Sequence, residues 1–170
     1  MYLPPSVTYT GQLRGATPGG AAVFDTLRHM RAAVNAAKVD PEIIAAAHSI
    51  VFLTPERDQN AEARALFEFV RDSIRYVPDV WGVETIAYPG LTLRKKTGDC
   101  DDQTALLCAL LESVGFPTRF VMTGYNGPDF EHVYCQALID GNWVAMDPID
   151  RNNAMGSQPL YPTRVYLEGV

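Results

Sequence analysis

A chain of 170 residues with 47% hydrophobic side chains is one domain's worth of globular sequence, long enough to bury a core without disulfide or metal staples. Fourteen basic against twenty acidic residues leave a net charge of −6, which argues against a nucleic-acid partner, since such proteins carry a basic face. The terminus Met1-Tyr2-Leu3-Pro4-Pro5 lacks the basic and apolar parts of a secretory signal, and the longest mainly apolar run, residues 43–53, is short of the ~20 residues a spanning helix needs. A soluble cytoplasmic protein with no membrane partner is therefore expected. Cys100, Cys108 and Cys135 are too few and too unevenly spaced for a disulfide framework, which suits a reducing compartment.

In chain order, the first twenty residues are rich in Pro, Gly and Thr and read as an irregular arm. Thr17-Pro18 signals a helix start, and Val23, Leu27, Met30 and Val34 follow at helical spacing. Asp40-Pro41-Glu42 repeats the pattern of cap, first-turn proline and early acid, with Ile43, Ile44, Ala47 and Val51 behind it. A third helix runs from about Asn60, with a stripe of Ala63, Leu66, Phe67, Val70 and Ile74, and Tyr76-Val77-Pro78 stops it. From 79 to 97 periodicity fails: Pro89-Gly90 reads as a turn and Arg94-Lys95-Lys96 as a solvated loop. Residues 100–114 are apolar on nearly every face, as a helix in the middle of a domain must be, and Gly115 suits its end. Strands are expected at 119–125, 132–139, 142–147 and 164–167. Helices first and an antiparallel sheet later make an α+β fold. Residues 1–57 form an arm and helices in front of a core over 58–170, all within one domain.

The chemistry concentrates at Gly98-Asp99-Cys100-Asp101-Asp102. With Asp99 as the N-cap, Cys100 opens the buried helix and Asp102 can help satisfy the first-turn amides. The helix terminus favours a thiolate and offers amides to an oxyanion, whereas the flanking carboxylates oppose a second anion. A reactive Cys100 therefore requires a histidine partner. His132 becomes the candidate through the hairpin at Ile139-Asp140-Gly141-Asn142, because Asp-Gly suits a type I′ turn. That turn makes 138 face 143, 136 face 145 and 134 face 147, so His132 and Asp147 become diagonal neighbours on one face. Val133, Cys135, Ala137, Ile139, Val144 and Met146 then form the opposite, core face. In this arrangement Cys100 is the nucleophile, His132 carries the proton, and Asp147 orients the imidazole. A thiolate–imidazolium pair would overrule the acidic neighbours.

The run 98–102 with its helix, Gly115-Phe116-Pro117-Thr118-Arg119, His132-Val133-Tyr134, and Gly141-Asn142-Trp143 leading to Asp147-Pro148 resemble the core of the transglutaminase-like superfamily. The similarity reaches back to Ile74-Arg75-Tyr76 and covers roughly residues 60 to 150. It implies a papain-like α+β fold with helices packed on an antiparallel sheet and a Cys-His-Asp triad, falling here on Cys100, His132 and Asp147. Short members of this kind are often bacterial or phage-encoded, so association with a virion fits as well as the cytoplasm. They resemble thiol hydrolases of peptide or isopeptide bonds more than cross-linking enzymes. The implied activity is a cysteine protease or amidohydrolase working through an acyl-enzyme on a protein or peptide substrate. Transfer to an amine, and a non-catalytic binding or assembly module that keeps the fold, are the alternatives.

The other reactive side chains read more simply. Cys108 and Cys135 are core thiols, and about 12 Å of helix axis separates Cys108 from Cys100. His29 and His48 lie on the amino-terminal helices and receive no role. The Asp99-Asp101-Asp102 cluster lacks a calcium loop's distal glutamate, because position twelve counted from Asp99 is Leu110. Zinc on Cys100 and His132 lacks a further ligand at the required spacing. No cofactor and no metal are expected. Tyr76 and Trp81 could give a side-chain donor to an oxyanion, although core packing is the simpler reading of both.

Overall fold

The structure, a computed structural model, describes residues 21–79, 85–125, 130–160, 162 and 164–168. The arm over the first twenty residues, the Thr17-Pro18 signal and Trp81 lie outside the described residues. Helix α1 (Ala21–Ala37) buries Leu27, Met30, Val34 and Ala37 along one stripe. Helix α2 (Pro41–Val51) starts where Asp40 accepts the Glu42 amide at 2.9 Å, and α3 (Gln59–Ser73) where Asp58 accepts that of Ala61 at 2.9 Å. Both caps relieve amides that have no partner within the helix. The expected α3 stripe is buried throughout, and His29 and His48 are exposed.

Between α3 and the central helix the structure departs from the expected turn and loop. Pro89-Gly90 opens a helix, α4 (Pro89–Lys95), in which proline occupies the first turn, where its missing N–H is no loss. Arg94 and Lys95 form its last turn, facing the negative end of the helix dipole, and Lys96 closes it in a left-handed conformation at φ 56°. The basic triplet is thus a helix end, with Arg94 paired to Glu42 and Lys96 Nζ 4.6 Å from the centre of the Phe69 ring. Seven residues with only two hydrophobic ones buried against a neighbour carry too little periodicity to be seen in the sequence. Strand β1 (Arg75–Tyr76) runs parallel to β2 (Thr97–Gly98), pairing Tyr76 with Gly98 just before Cys100.

Helix α5 (Cys100–Ser113) is the centre of the protein: every residue from Asp101 to Leu111 is buried, and α1, α2, α3, α4 and the sheet pack around it. The sheet has the order β5-β4-β3-β6, all antiparallel, built from β3 (Thr118–Gly124), β4 (His132–Ile139), β5 (Asn142–Met146) and β6 (Arg164–Leu167). The β4–β5 register is the expected one, with Leu138 opposite Trp143 and Gln136 opposite Ala145. Asp140 and Gly141 both take positive φ, 48° and 78°, as a type I′ turn demands. Val133, Cys135, Ala137, Ile139 and Met146 join the main core, with Val144 packed against it, while Val121, Tyr134 and Ala145 form a separate small cluster.

Candidate active site

The α5 terminus is built by Asp99, whose carboxylate accepts the amides of both Asp101 and Asp102 at 3.2 Å. The Asp102 carboxylate accepts the Ala87 amide at 2.7 Å, fixing the segment before α4 against the first turn of α5. A residue fifteen positions away in sequence gave no signal of this partnership. The approach is close enough that a Cβ on Gly98 would fall 2.6 Å from that of Asp102, so glycine is required there. Burial holds the Asp102 carboxyl above the ordinary carboxylate range, with Asp79 adding to the shift and the Ala87 amide opposing it.

His132 and Asp147 meet as the hairpin register requires: His132 Nε2 lies 2.9 Å from Asp147 Oδ2. Both are well covered, with side chains 17% and 7% exposed. Asp147 is held in turn by the Ile149 amide on its Oδ1 at 3.2 Å. With Nε2 turned to Asp147, Nδ1 is the ring nitrogen left for proton exchange with a thiol.

Cys100 comes to the same strand but not to the same hydrogen bond. Its thiol donates to Asp101 Oδ1 at 3.6 Å, and the backbone of Val133, the residue after His132, is near enough to favour the thiolate. Among the described residues no hydrogen bond joins the sulfur to the His132 ring. Burial, then the carboxylates of Asp101 and Asp99, push the thiol far above its ordinary value, and the Val133 contact opposes them only in part. Asp99 has already engaged two of the first-turn amides, which removes much of the positive field that would lower a thiol at a helix terminus.

Tyr76 is 46% exposed and is not a core residue. Burial and the nearby Cys100, Asp99, Asp101 and Asp79 raise its hydroxyl above the usual range, and its pairing with Gly98 sets it beside the thiol. Cys108 and Cys135 are fully buried thiols, as expected.

A helix-borne cysteine facing an antiparallel sheet that carries a paired histidine and aspartate is the papain-like arrangement of an α+β protein. The transglutaminase-like superfamily model matches residues 47–148, the greater part of the sequence, and the chain belongs to that superfamily. The match begins inside α2, earlier than the motifs alone indicated. Among solved structures the fold is similar to a candidate protease from Parabacteroides distasonis, with a TM-score of 0.60 and 13% identity over 71% of this chain and 25% of that one. It is also similar to a candidate cysteine protease from Cytophaga hutchinsonii, with a TM-score of 0.50 and 17% identity over 74% of this chain and 49% of the other. At these identities the likeness is one of fold, and the chain spans between a quarter and a half of the length of those proteins. Comparison with curated proteins gives no match. Among the described residues no helix is long and apolar enough to cross a membrane.

Proposed function

We propose that the protein is a cysteine-dependent amide-bond enzyme, a peptidase, isopeptidase or amidohydrolase, acting through an acyl-enzyme on Cys100. The observation that carries this reading is the 2.9 Å contact between His132 and Asp147, at the start of the strand on which the helix opened by Cys100 packs. Burial and the Asp101 and Asp99 carboxylates favour the protonated sulfur, so in this reading His132 acts as a general base during attack. Its Nδ1 takes the thiol proton as sulfur bonds to the substrate carbonyl carbon. The Cys100 amide, in the first turn of α5, is the donor this reading assigns to the developing oxyanion. Collapse of the tetrahedral species breaks the carbon–nitrogen bond, and the amine leaves with the proton from His132. Water then cleaves the thioester, releasing the acid and regenerating the thiol. An amine in place of that water would give transfer, the alternative outcome of the same chemistry.

A second reading, a non-catalytic binding module that keeps the fold, draws on the raised Cys100 thiol and its lack of a hydrogen bond to His132. Mass spectrometry of peptides containing glutamine, asparagine and lysine isopeptides, incubated with and without a primary amine, separates these readings. A cleaved bond, a deamidated side chain or an amine adduct that vanishes in Cys100→Ala supports the enzyme and identifies its type. Unchanged peptides, together with Cys100→Ala behaving as wild type, overturn it in favour of the module.

A further inference from the structure

Tyr134 lies where three elements of the candidate site converge. It follows His132 by two residues on β4 and so shares its face, and one step beyond the Cys135–Met146 pair the register puts it opposite Asp147. Its ring lies nearly parallel to the imidazole, with the centroids 6.3 Å apart and the planes at 22°. The residue is only 3% exposed although it stands outside the main core. Its buried apolar companions on that side of the sheet are Val121 and Ala145 from the flanking strands, with the polar Thr123 and Gln136 buried on the same face. An aromatic ring flanked by two small apolar side chains leaves water little room beside the histidine–aspartate hydrogen bond. A hydrogen bond shielded in this way is stronger and better fixed in direction than one open to solvent.

We propose that Tyr134 is a positioning residue: its ring walls the His132 imidazole against Asp147 and keeps water from the bond between them. It touches no substrate and moves no proton. It acts by restricting rotation of His132, so that Nε2 stays on Asp147 and Nδ1 keeps one direction. The ring supplies the wall, so the hydroxyl is dispensable, and phenylalanine should replace tyrosine without loss. The contact itself is a property of the fold. Its effect on turnover rests on the function proposed above.

The test uses the full chain and proton NMR of the imidazole N–H that His132 holds on Asp147, followed through its exchange with water. Wild type and Tyr134→Phe should show the same slowly exchanging signal within about twofold. Tyr134→Leu and Tyr134→Ala should accelerate exchange at least about tenfold, and kcat should fall about threefold to tenfold with little change in KM. Tyr134→Leu retains apolar volume and serves where Tyr134→Ala does not fold. An unprotected signal in wild type, leucine exchange within twofold of wild type, or a phenylalanine variant as fast as leucine each overturns the proposal. A protein that cleaves no amide yet shows the expected exchange pattern refutes the enzymatic reading and leaves this one standing. An active enzyme with leucine behaving as wild type does the reverse.

Discussion

The two ends of α5 solve the problem of buried charge in opposite ways. At the carboxyl end, Glu112 is met by Arg31 at 2.6 Å, Lys38 at 3.0 Å and the Thr118 hydroxyl at 2.6 Å, and Arg31 also holds Glu168 at 2.5 Å. Burial works against the Glu112 carboxylate, but Thr118, Lys38 and Arg31 outweigh it and hold the group below the usual range. This network joins α1 to the strand end after β6, across 137 positions of sequence, and Arg31, Lys38 and Glu168 lie outside the stretch that the superfamily model matches while Glu112 and Thr118 lie within it. At the amino end, the Asp99 and Asp102 carboxylates are met by backbone amides, and a carboxyl and a thiol are both driven above their ordinary values. One end is compensated and stabilises the fold. The other carries electrostatic strain, which a protein retains where chemistry needs it.

The contrast breaks most visibly in turnover. His132→Ala or Asp147→Asn should lower kcat about 10³- to 10⁴-fold, measured on whichever amide substrate is identified, because in the proposed mechanism both act as one unit with Cys100. Their unfolding midpoints in urea should stay close to wild type. Arg31→Ala should do the opposite. It leaves Glu112 and Glu168 partly buried without their shared cation and lowers stability by about 3 kcal/mol in urea denaturation, with kcat of the folded fraction unchanged. Gly98→Ala joins the two effects, because its new methyl meets the Asp102 Cβ at 2.6 Å beside the nucleophile. A loss of about 1–3 kcal/mol is expected, together with lower turnover.

How much of this was legible in the sequence follows from the range of each interaction. The α5 core, the caps Asp40 and Asp99, and the β4–β5 register all follow from periodicity or local turn chemistry, and the structure holds them where the residues indicated. The pairing of His132 with Asp147 was readable because a two-residue turn fixes every cross-strand neighbour. Helix α4 was not, since proline and glycine signal a turn unless something buries the residues behind them, and here α5 does. Neither the reach of Asp102 to Ala87 nor that of Arg31 to Glu168 has a local signature. The upward push on the Cys100 thiol lacks a local signature for a related reason. Its burial, the largest contribution, depends on how the surrounding chain packs, and a motif does not encode that.

The smallest expected effect is also the one that reads the two ends separately. Glu112 is depressed below 4.5 in the fold, so its contribution to stability is complete above that value and is lost as pH falls through the lower folded value. Cys100 has the opposite sign. An unfolded thiol ionises near 9.0, while the folded one keeps its proton to much higher pH, so above 9.0 the unfolded state binds fewer protons and stability falls as pH rises. Cys135, Tyr88 and Tyr134 are raised as well and share that decline, which makes the difference between variants the useful quantity. Urea denaturation of wild type and Cys100→Ser should give parallel stability curves from pH 6 to 8. Above 9.0 they should converge or cross, with the serine variant gaining on wild type by up to about 1.4 kcal/mol per pH unit, one proton's worth. Curves that stay parallel to pH 10.5 would mean that the folded protein ionises Cys100 as readily as the unfolded chain does. The amino end of α5 would then be as well compensated as the carboxyl end.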